Sequence, residues 1–235
     1  MRTSITVVES LAAEAPAAVS VINRQQMALT PGVNLDDRLR SVPGFSLFRR
    51  SSSVVAHPTT QGVSLRGIGS SGASRSLVLW DGIPVNDAFG GWVYWTRLSP
   101  DELERVEISR GASTSIFGDR AMGGAIALFS REPTRRHLFG RYEGGGRNTH
   151  DLAAGFSNLW AARWAASVEG RAYSTDGYFI VPADRRGAVD TLAGVRFVTA
   201  GARADYLGGA HRFFLKSDIL VEDRKNGTGL QNNST

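Results

Sequence analysis

Cysteine is absent from the 235 residues, which removes disulfides and thiolate metal sites from consideration. No apolar run reaches the roughly 18 residues that a transmembrane helix needs, so none is expected. The first residues, Met-Arg-Thr-Ser-Ile-Thr-Val-Val-Glu, also lack the apolar core of about 7 to 15 residues that marks a secretory signal. The four histidines, His57, His137, His150 and His211, show no metal-ligand spacing, and neither a Ser/His/Asp order nor a helical H-E-x-x-H occurs. No catalytic residue, metal or cofactor is therefore expected. Basic clusters are missing too: 27 Lys and Arg against 22 Asp and Glu leave a net charge of +5, but the arginines are scattered singly through alternating segments. A nucleic-acid partner is not expected from that pattern.

Glycine, by contrast, is plentiful at 27 residues, which favours turn-rich β structure. Residues 103–131 read as strand, turn, one helical turn, turn and strand. Arg105-Val-Glu-Ile108 alternates charged with apolar, Gly111 stops it, Ser113 to Phe117 is helix-like, and Gly118, Gly123 and Gly124 precede the apolar run Ala125 to Phe129. Upstream, residues 77–85 (Leu-Val-Leu-Trp-Asp-Gly-Ile-Pro-Val) place Asp81-Gly82 between two β-prone runs, a tight hairpin signal. Val19 to Ile22 reads as a strand and Asn23 to Met27 as a helical turn. Asn34 is placed to cap a helix through Leu35 and Leu39, with Asp36 and Asp37 as solvated first-turn acids and Val42-Pro43-Gly44 as its stop. Gly67-Ile-Gly-Ser-Ser-Gly72 matches G-x-G-x-x-G, but a β pattern follows at Ser76 where a dinucleotide site needs a helix, so that reading fails.

The 103–131 stretch resembles the end of the plug domain of TonB-dependent outer-membrane receptors, roughly I-E-V-x-R-G-P-x-S-x-x-Y-G-x-x-A-x-G-G-x-I-x-I-x-T. Ala112 stands for the usual proline and Phe117 for the usual tyrosine. Leu77 to Asp87 is similar to the family's L-x-L-x-D-G-V-P-x-N-D, residues 35–44 to its L-x-D-x-L-x-x-V-P-G, and Arg66-Gly67 to its R-G strand end. From His137 the pattern changes to long two-residue alternation. Trp164, Ala166, Val168, Gly170 and Ala172 oppose Arg163, Ser167, Glu169, Arg171 and Tyr173. Phe213, Leu215, Ile219 and Val221 oppose Arg212, Lys216, Asp218 and Glu222. A half-wet sheet of a soluble binding or adhesion module would alternate likewise, but apolar-out, polar-in strands are what a membrane barrel requires. Segments 137–146, 150–158, 160–174, 192–206 and 211–223 are the expected strands. Plugged transporters have about 22 strands, so the 99 residues after Arg136 are too few to close a barrel.

The expected fold is thus an α+β plug domain followed by antiparallel β-strands of an incomplete transmembrane β-barrel. Residues 1–14 would be a tail, 15–134 the plug and 135–235 the first strands. An exported protein with no signal at its start is expected to begin upstream or to be a fragment. The resemblance implies energy-coupled uptake of a scarce ligand of the siderophore, cobalamin or glycan class. Its partners would be TonB, an extracellular small molecule and outer-membrane lipid. Ile5, Thr6, Val7, Val8 and Glu9 resemble the TonB box, an extended segment captured by strand addition, with a disordered or edge-strand tail as the alternative. Phe89, Trp92, Tyr94 and Trp95 either fill the core or, with Ser70, Ser71 and Arg75, form apical loops that touch ligand. Arg66, Glu107 and Arg110 are expected, by resemblance, to lock the plug to the barrel wall, or else to be solvated by lumen water.

Overall fold

The computed structural model describes residues 18–49, 51–67, 74–111, 117–133, 136–161, 163–209, 211–230 and 232–234. The first half is a small α+β unit. Strand β1 (Ala18–Asn23) feeds helix α1 (Arg24–Leu29), whose capping box is reciprocal: Gln26 N–H donates to Asn23 Oδ1 at 2.9 Å and Asn23 N–H to Gln26 Oε1 at 3.0 Å. Helix α2 (Leu35–Leu39) follows, then β2 (Phe45–Leu47), β3 (Val63–Leu65), β4 (Ser76–Trp80), β5 (Ile83–Pro84), β6 (Leu103–Arg110) and β7 (Gly124–Ser130). The main sheet has the order β1-β6-β7-β4-β5, with β4 parallel to β7 and the other pairs antiparallel, while β2 and β3 pair separately.

The tight turn expected at Asp81-Gly82 is present: φ is 50° at Asp81 and 84° at Gly82, and Trp80 pairs with Ile83 across it. Gly124 stands at φ 126°, where an added Cβ would lie 2.2 Å from the Ser109 carbonyl oxygen on the neighbouring strand. Only a residue without a side chain lets β6 and β7 approach there. Leu35, Leu39, Phe45, Leu65, Val78, Trp95, Leu103, Ile108 and Ile126 build one core between the helices and the sheet. The helix-like segment expected from Ser113 lies outside the described residues up to Phe117.

The second half is an antiparallel meander of β8 (His137–Gly145), β9 (Thr149–Trp160), β10 (Trp164–Phe179), β11 (Leu192–Leu207), β12 (Arg212–Lys225) and β13 (Asn232–Ser234). The five expected strands are found, with β9 ending at Trp160 and β10 running on to Phe179. The short β13, paired with Asp223 to Lys225, is an addition. Among the described residues the sheet is open, in the order β13-β12-β11-β10-β9-β8.

This sheet is inside-out. Leu138, Leu215, Phe213, Ile219 and Val221 are 60 to 77% exposed on one face, whereas Arg171, Asp151, Glu222, Arg224 and Asp205 are 1 to 5% exposed on the other, against the plug. Register shows why that arrangement belongs in a bilayer. Trp160, Trp164, Tyr206 and Phe213 form one transverse row on the apolar face, and His150, Ser174, Arg196 and Asp223 form another. The rows stand ten residues apart on each of the four strands. Of the outward positions between them, all but Asn158 and Ser217 are apolar or glycine. Ten residues at ~3.3 Å each span ~33 Å, and a strand tilt of ~40° reduces this to ~25 Å, the height of the apolar band of outer-membrane barrels. The aromatic row sits at the end with the connections 161–163 and 208–211, while the turn 146–148 and the longer loop 180–191 leave the opposite end.

Candidate functional site

The plug meets the wall through charged and polar groups aligned by that two-residue alternation. Arg171, 2% exposed, donates from Nε and Nη2 to the Asp151 carboxylate at 2.9 and 2.8 Å, from Nη1 to Asn34 Oδ1 at 3.0 Å and from Nη2 to the Val33 carbonyl at 3.0 Å. One guanidinium therefore joins two wall strands to the entry of α2. Beside it Arg141 reaches Asp101 of the plug at 2.7 Å and Asp151 at 3.2 Å. Lys216 donates to Ser130 Oγ at 2.8 Å, approaches Asp81 at 3.4 Å and lies 3.2 Å from the Trp80 ring centroid, a cation–π contact in a partly dehydrated place. Arg203 also approaches Asp81, at 3.6 Å, while holding Asp205 at 2.8 Å. Further pairs are Arg131 with Glu169 at 3.4 Å, Arg212 with Glu132 at 2.9 Å and Thr96 Oγ1 donating to Glu222 at 2.6 Å. An apolar patch adds to the contact, Val54 and Val55 against Tyr173, Ala193, Val195 and Phe197, with Val33 and Leu220 packed against it.

Glu107 and Arg110, expected with Arg66 to lock the plug to the wall, have partners within the plug. Glu107, on a central strand of the plug sheet, accepts from Arg105 at 2.8 Å, and Arg105 in turn stacks 3.8 Å over Phe129. Arg110 donates to Ser20 Oγ at 3.0 Å and to the Pro43 carbonyl at 3.2 Å, both within the plug. Arg66 is exposed at φ 57°. Which charge meets the wall depends on how the sheet is turned within the second half of the chain, and no local motif encodes that.

Two plug carboxyls, Asp36 and Glu102, are buried with raised pKa values. Asp36, read from the sequence as solvated, is fully buried and accepts from the Ser53 amide at 3.1 Å and from the Ser53 hydroxyl. Burial, followed by neighbouring Asp37, pushes its carboxyl up to about 6. Glu102 follows the same logic further. It lines a water-sized gap with Ser130, Glu169, Gly201, Lys216 and Asp218, and an added Cβ at Gly201 would lie 3.8 Å from both of its carboxyl oxygens. Burial, with Glu169 next in weight, pushes Glu102 up to about 8.

The end of the plug sheet remote from Asp81 and Ser130 gathers the other candidate residues. Ser76, Gly124 and Arg110 lie in one register row there, with Arg75 one residue beyond it. Asn86 folds the following loop back along β4, accepting from Val78 N–H at 2.7 Å and donating to the Ser76 and Gly91 carbonyls. Asp87 Oδ1 then accepts from Phe89 and Gly90 N–H, which leaves the Phe89 ring 99% exposed. Arg120, which the sequence reading did not single out, donates to the Ala88 carbonyl at 3.2 Å, and Met122, also missed, lies 3.8 Å from Arg75 Nη1. The fold-back of residues 86–91 brings Ala88 to Arg120, and the parallel pairing of β4 with β7 brings Met122 to Arg75; neither has a signature in sequence.

The aromatic run therefore divides. Trp95 has no exposed surface, packs edge-on against Phe45 at 6.0 Å and donates to the Gln61 carbonyl at 3.4 Å. It is a core residue, so the ligand contact expected of it is corrected. Tyr94 is half-buried; Trp92, also half-buried, lies against Gly90, where an added Cβ would fall inside the indole ring. Ser70 and Ser71, like Ile5 to Glu9, lie outside the described residues.

A family model, the TonB-dependent receptor plug domain, matches residues 12–125. Over 131 residues the chain is 32% identical to the ferric enterobactin receptor PirA of Pseudomonas aeruginosa, covering 50% of this chain and 17% of that protein. It is 33% identical over 114 residues to a hemin receptor of Yersinia enterocolitica, covering 48% and 15%. The solved structure of a variant of the ferric enterobactin receptor PfeA from Pseudomonas aeruginosa shares the fold, with a TM-score of 0.67 over 94% of this chain and 35% of that one at 18% identity. The chain spans under a fifth of the length of these two curated relatives. Residues 12–125 thus belong to the plug domain family of TonB-dependent receptors, and the strands behind them share the fold of such receptors of the bacterial outer membrane.

Proposed function

We propose that this chain serves energy-coupled uptake of a scarce iron chelate across the outer membrane, with energy relayed from the inner membrane by TonB. The observation that supports this most is a plug seated by charge pairs on the polar face of a sheet whose other face is apolar over a bilayer's height. A soluble binding module would have to leave that apolar face in water. Relatives named for ferric enterobactin, ferrichrome and hemin support an iron chelate over the glycan class, with cobalamin the second reading on a relative named for vitamin B12. In this reading residues 1–14 are the tail that TonB captures, 15–134 the plug and 135–235 the first wall strands. Arg75, Phe89 and Trp92 face incoming ligand, and no reaction is catalysed.

Capture by strand addition uses main-chain hydrogen bonds, so Val7→Ala is tolerated, whereas Val7→Pro removes a donor and fixes φ. In cells carrying a full-length receptor, Val7→Pro is expected to keep ligand binding and lose uptake. Uptake at the parental rate would refute Ile5 to Glu9 as the TonB-binding segment.

A further inference from the structure

Gly201 of β11 makes the room at Glu102. An added Cβ there would lie 3.0 Å from Asp218 Oδ1 and 3.8 Å from both Glu102 carboxyl oxygens, so a plug carboxyl and a wall carboxyl border the same glycine. Glu169 of β10 brings a third: its Oε1 is held by Arg131, while its Oε2 is buried with no hydrogen-bond partner among the described residues. The cations around the gap are already engaged, Arg131 with Glu169, Arg203 with Asp205 and Asp81, and Lys216 with Ser130 and Asp81. Asp101 adds a further negative charge from the plug side. Three carboxylates in so small and dehydrated a space repel one another, and a shared proton removes one of the charges. The gap has room for one water to carry a hydrogen bond between them.

We infer that the seated plug holds one proton among Glu102, Glu169 and Asp218, and that parting from the wall releases it to the entering water, so that unseating is coupled to deprotonation. The inference rests on the uptake reading only in taking displacement of the plug as a step of transport. Seated, burial and then Glu169 push the Glu102 carboxyl up to about 8; once rehydrated it returns toward its ordinary 4.5. Between these values the seated form keeps the proton and the parted form loses it. Each pH unit in that interval therefore favours unseating about tenfold. The plug is held most firmly in acid, and its hold weakens as pH rises to about 8.

The test uses the full-length receptor in outer-membrane vesicles, with Thr199→Cys as its single cysteine. Thr199 sits on the inner face of β11, 5% exposed, its hydroxyl without a partner among the described residues, so a thiol there meets reagent when the plug parts from the wall. Its maleimide labelling rate is divided by that of the same thiol in the urea-unfolded receptor at the same pH, which cancels the rise in thiolate. The ratio should increase about tenfold per unit from about pH 5 and level off near pH 8, while Glu102→Gln holds it flat. Glu169→Gln leaves Glu102 in place and removes a neighbouring charge, so its ratio should level off at a lower pH. A parental ratio that does not change with pH, or a slope that survives in Glu102→Gln, overturns the inference, as does a levelling point unmoved in Glu169→Gln. Uptake of a ferric tris-catecholate, a ferric trihydroxamate and hemin is followed in cells carrying the parental receptor. Absence of all three with the pH slope present refutes the iron-chelate reading and leaves the proton assignment standing.

Discussion

Replacing Glu102 by Gln isolates one proton at the contact between plug and wall. The carboxyl rises from its ordinary 4.5 to about 8 on folding, through burial first and Glu169 second. A carboxyl raised in this way keeps its proton in the folded chain while the unfolded chain releases it. Its contribution is therefore complete below pH 4.5 and is lost progressively as pH rises to about 8. Each unit of that window is worth about 1.4 kcal/mol and the loss tapers near its upper end, so the parent loses about 3 to 4 kcal/mol from this group between roughly pH 5 and pH 8. The groups facing it are Glu169, Asp218, Lys216, Arg131 and Arg203 from around the gap, with Asp101 beside it on the plug. All of these remain in the variant, so their titration is common to both proteins to first order. Glutamine keeps the shape and has no proton to lose. Urea unfolding in detergent, followed by tryptophan fluorescence at a series of pH values, should show Glu102→Gln gaining about 3 to 4 kcal/mol on the parent from pH 5 to pH 8. A parent–variant difference that stays constant across this range would show that Glu102 is ionised in place and would refute the reasoning.

Arg171→Met should cost about 3 to 5 kcal/mol in the same unfolding assay, because Asp151 is left buried and Asn34 and the Val33 carbonyl lose a donor; a loss under about 1 kcal/mol would mean that the network is solvated. Gly124→Ala forces a Cβ onto the Ser109 carbonyl at a left-handed φ, and its urea midpoint should fall by the equivalent of more than about 1 kcal/mol. Trp95→Ala should lower stability by about 3 to 5 kcal/mol, as for a core aromatic, whereas Phe89→Ala should leave the unfolding midpoint unchanged. A ligand-binding defect in Trp95→Ala without loss of stability would return Trp95 to the ligand surface.

The parts of this fold that were legible in sequence are those with local causes. Asp81-Gly82 encodes its own positive φ angles, and the alternation after His137 encodes which face each strand turns to lipid, because both signals act over two residues. The bulge between Thr175 and Tyr178, with Gly177 at φ 67°, interrupts that alternation and was not legible. The burial of Asp36 and Glu102 was hidden for a different reason: each is covered by a segment remote in sequence, Ser53 in one case and strands β10 to β12 in the other. Phe89, Trp92, Tyr94 and Trp95 share one composition signal. A single folded-back loop sends Phe89 to solvent while Trp95 enters the core.

The chemistry of the contact bears on how firmly the plug is held. An apolar contact gains about 25 cal/mol for every Å² covered and does not depend on register, so an apolar wall would grip the plug in many positions. Buried ion pairs act in the opposite sense. Desolvation offsets most of their attraction, so their net gain is small, yet removing one partner costs several kcal/mol. Arg171 with Asp151 and Asn34, Lys216 with Asp81 and Ser130, and Arg141 with Asp101 therefore fix one seated position without adding much adhesion to it. Among the described residues the apolar grip centres on Val54 and Val55 against Tyr173, Ala193, Val195 and Phe197, with Val33 and Leu220 at its edge. Under the uptake function proposed above this division is effective: charge pairs select the resting register, and once parted their groups are rehydrated by the water that enters the gap.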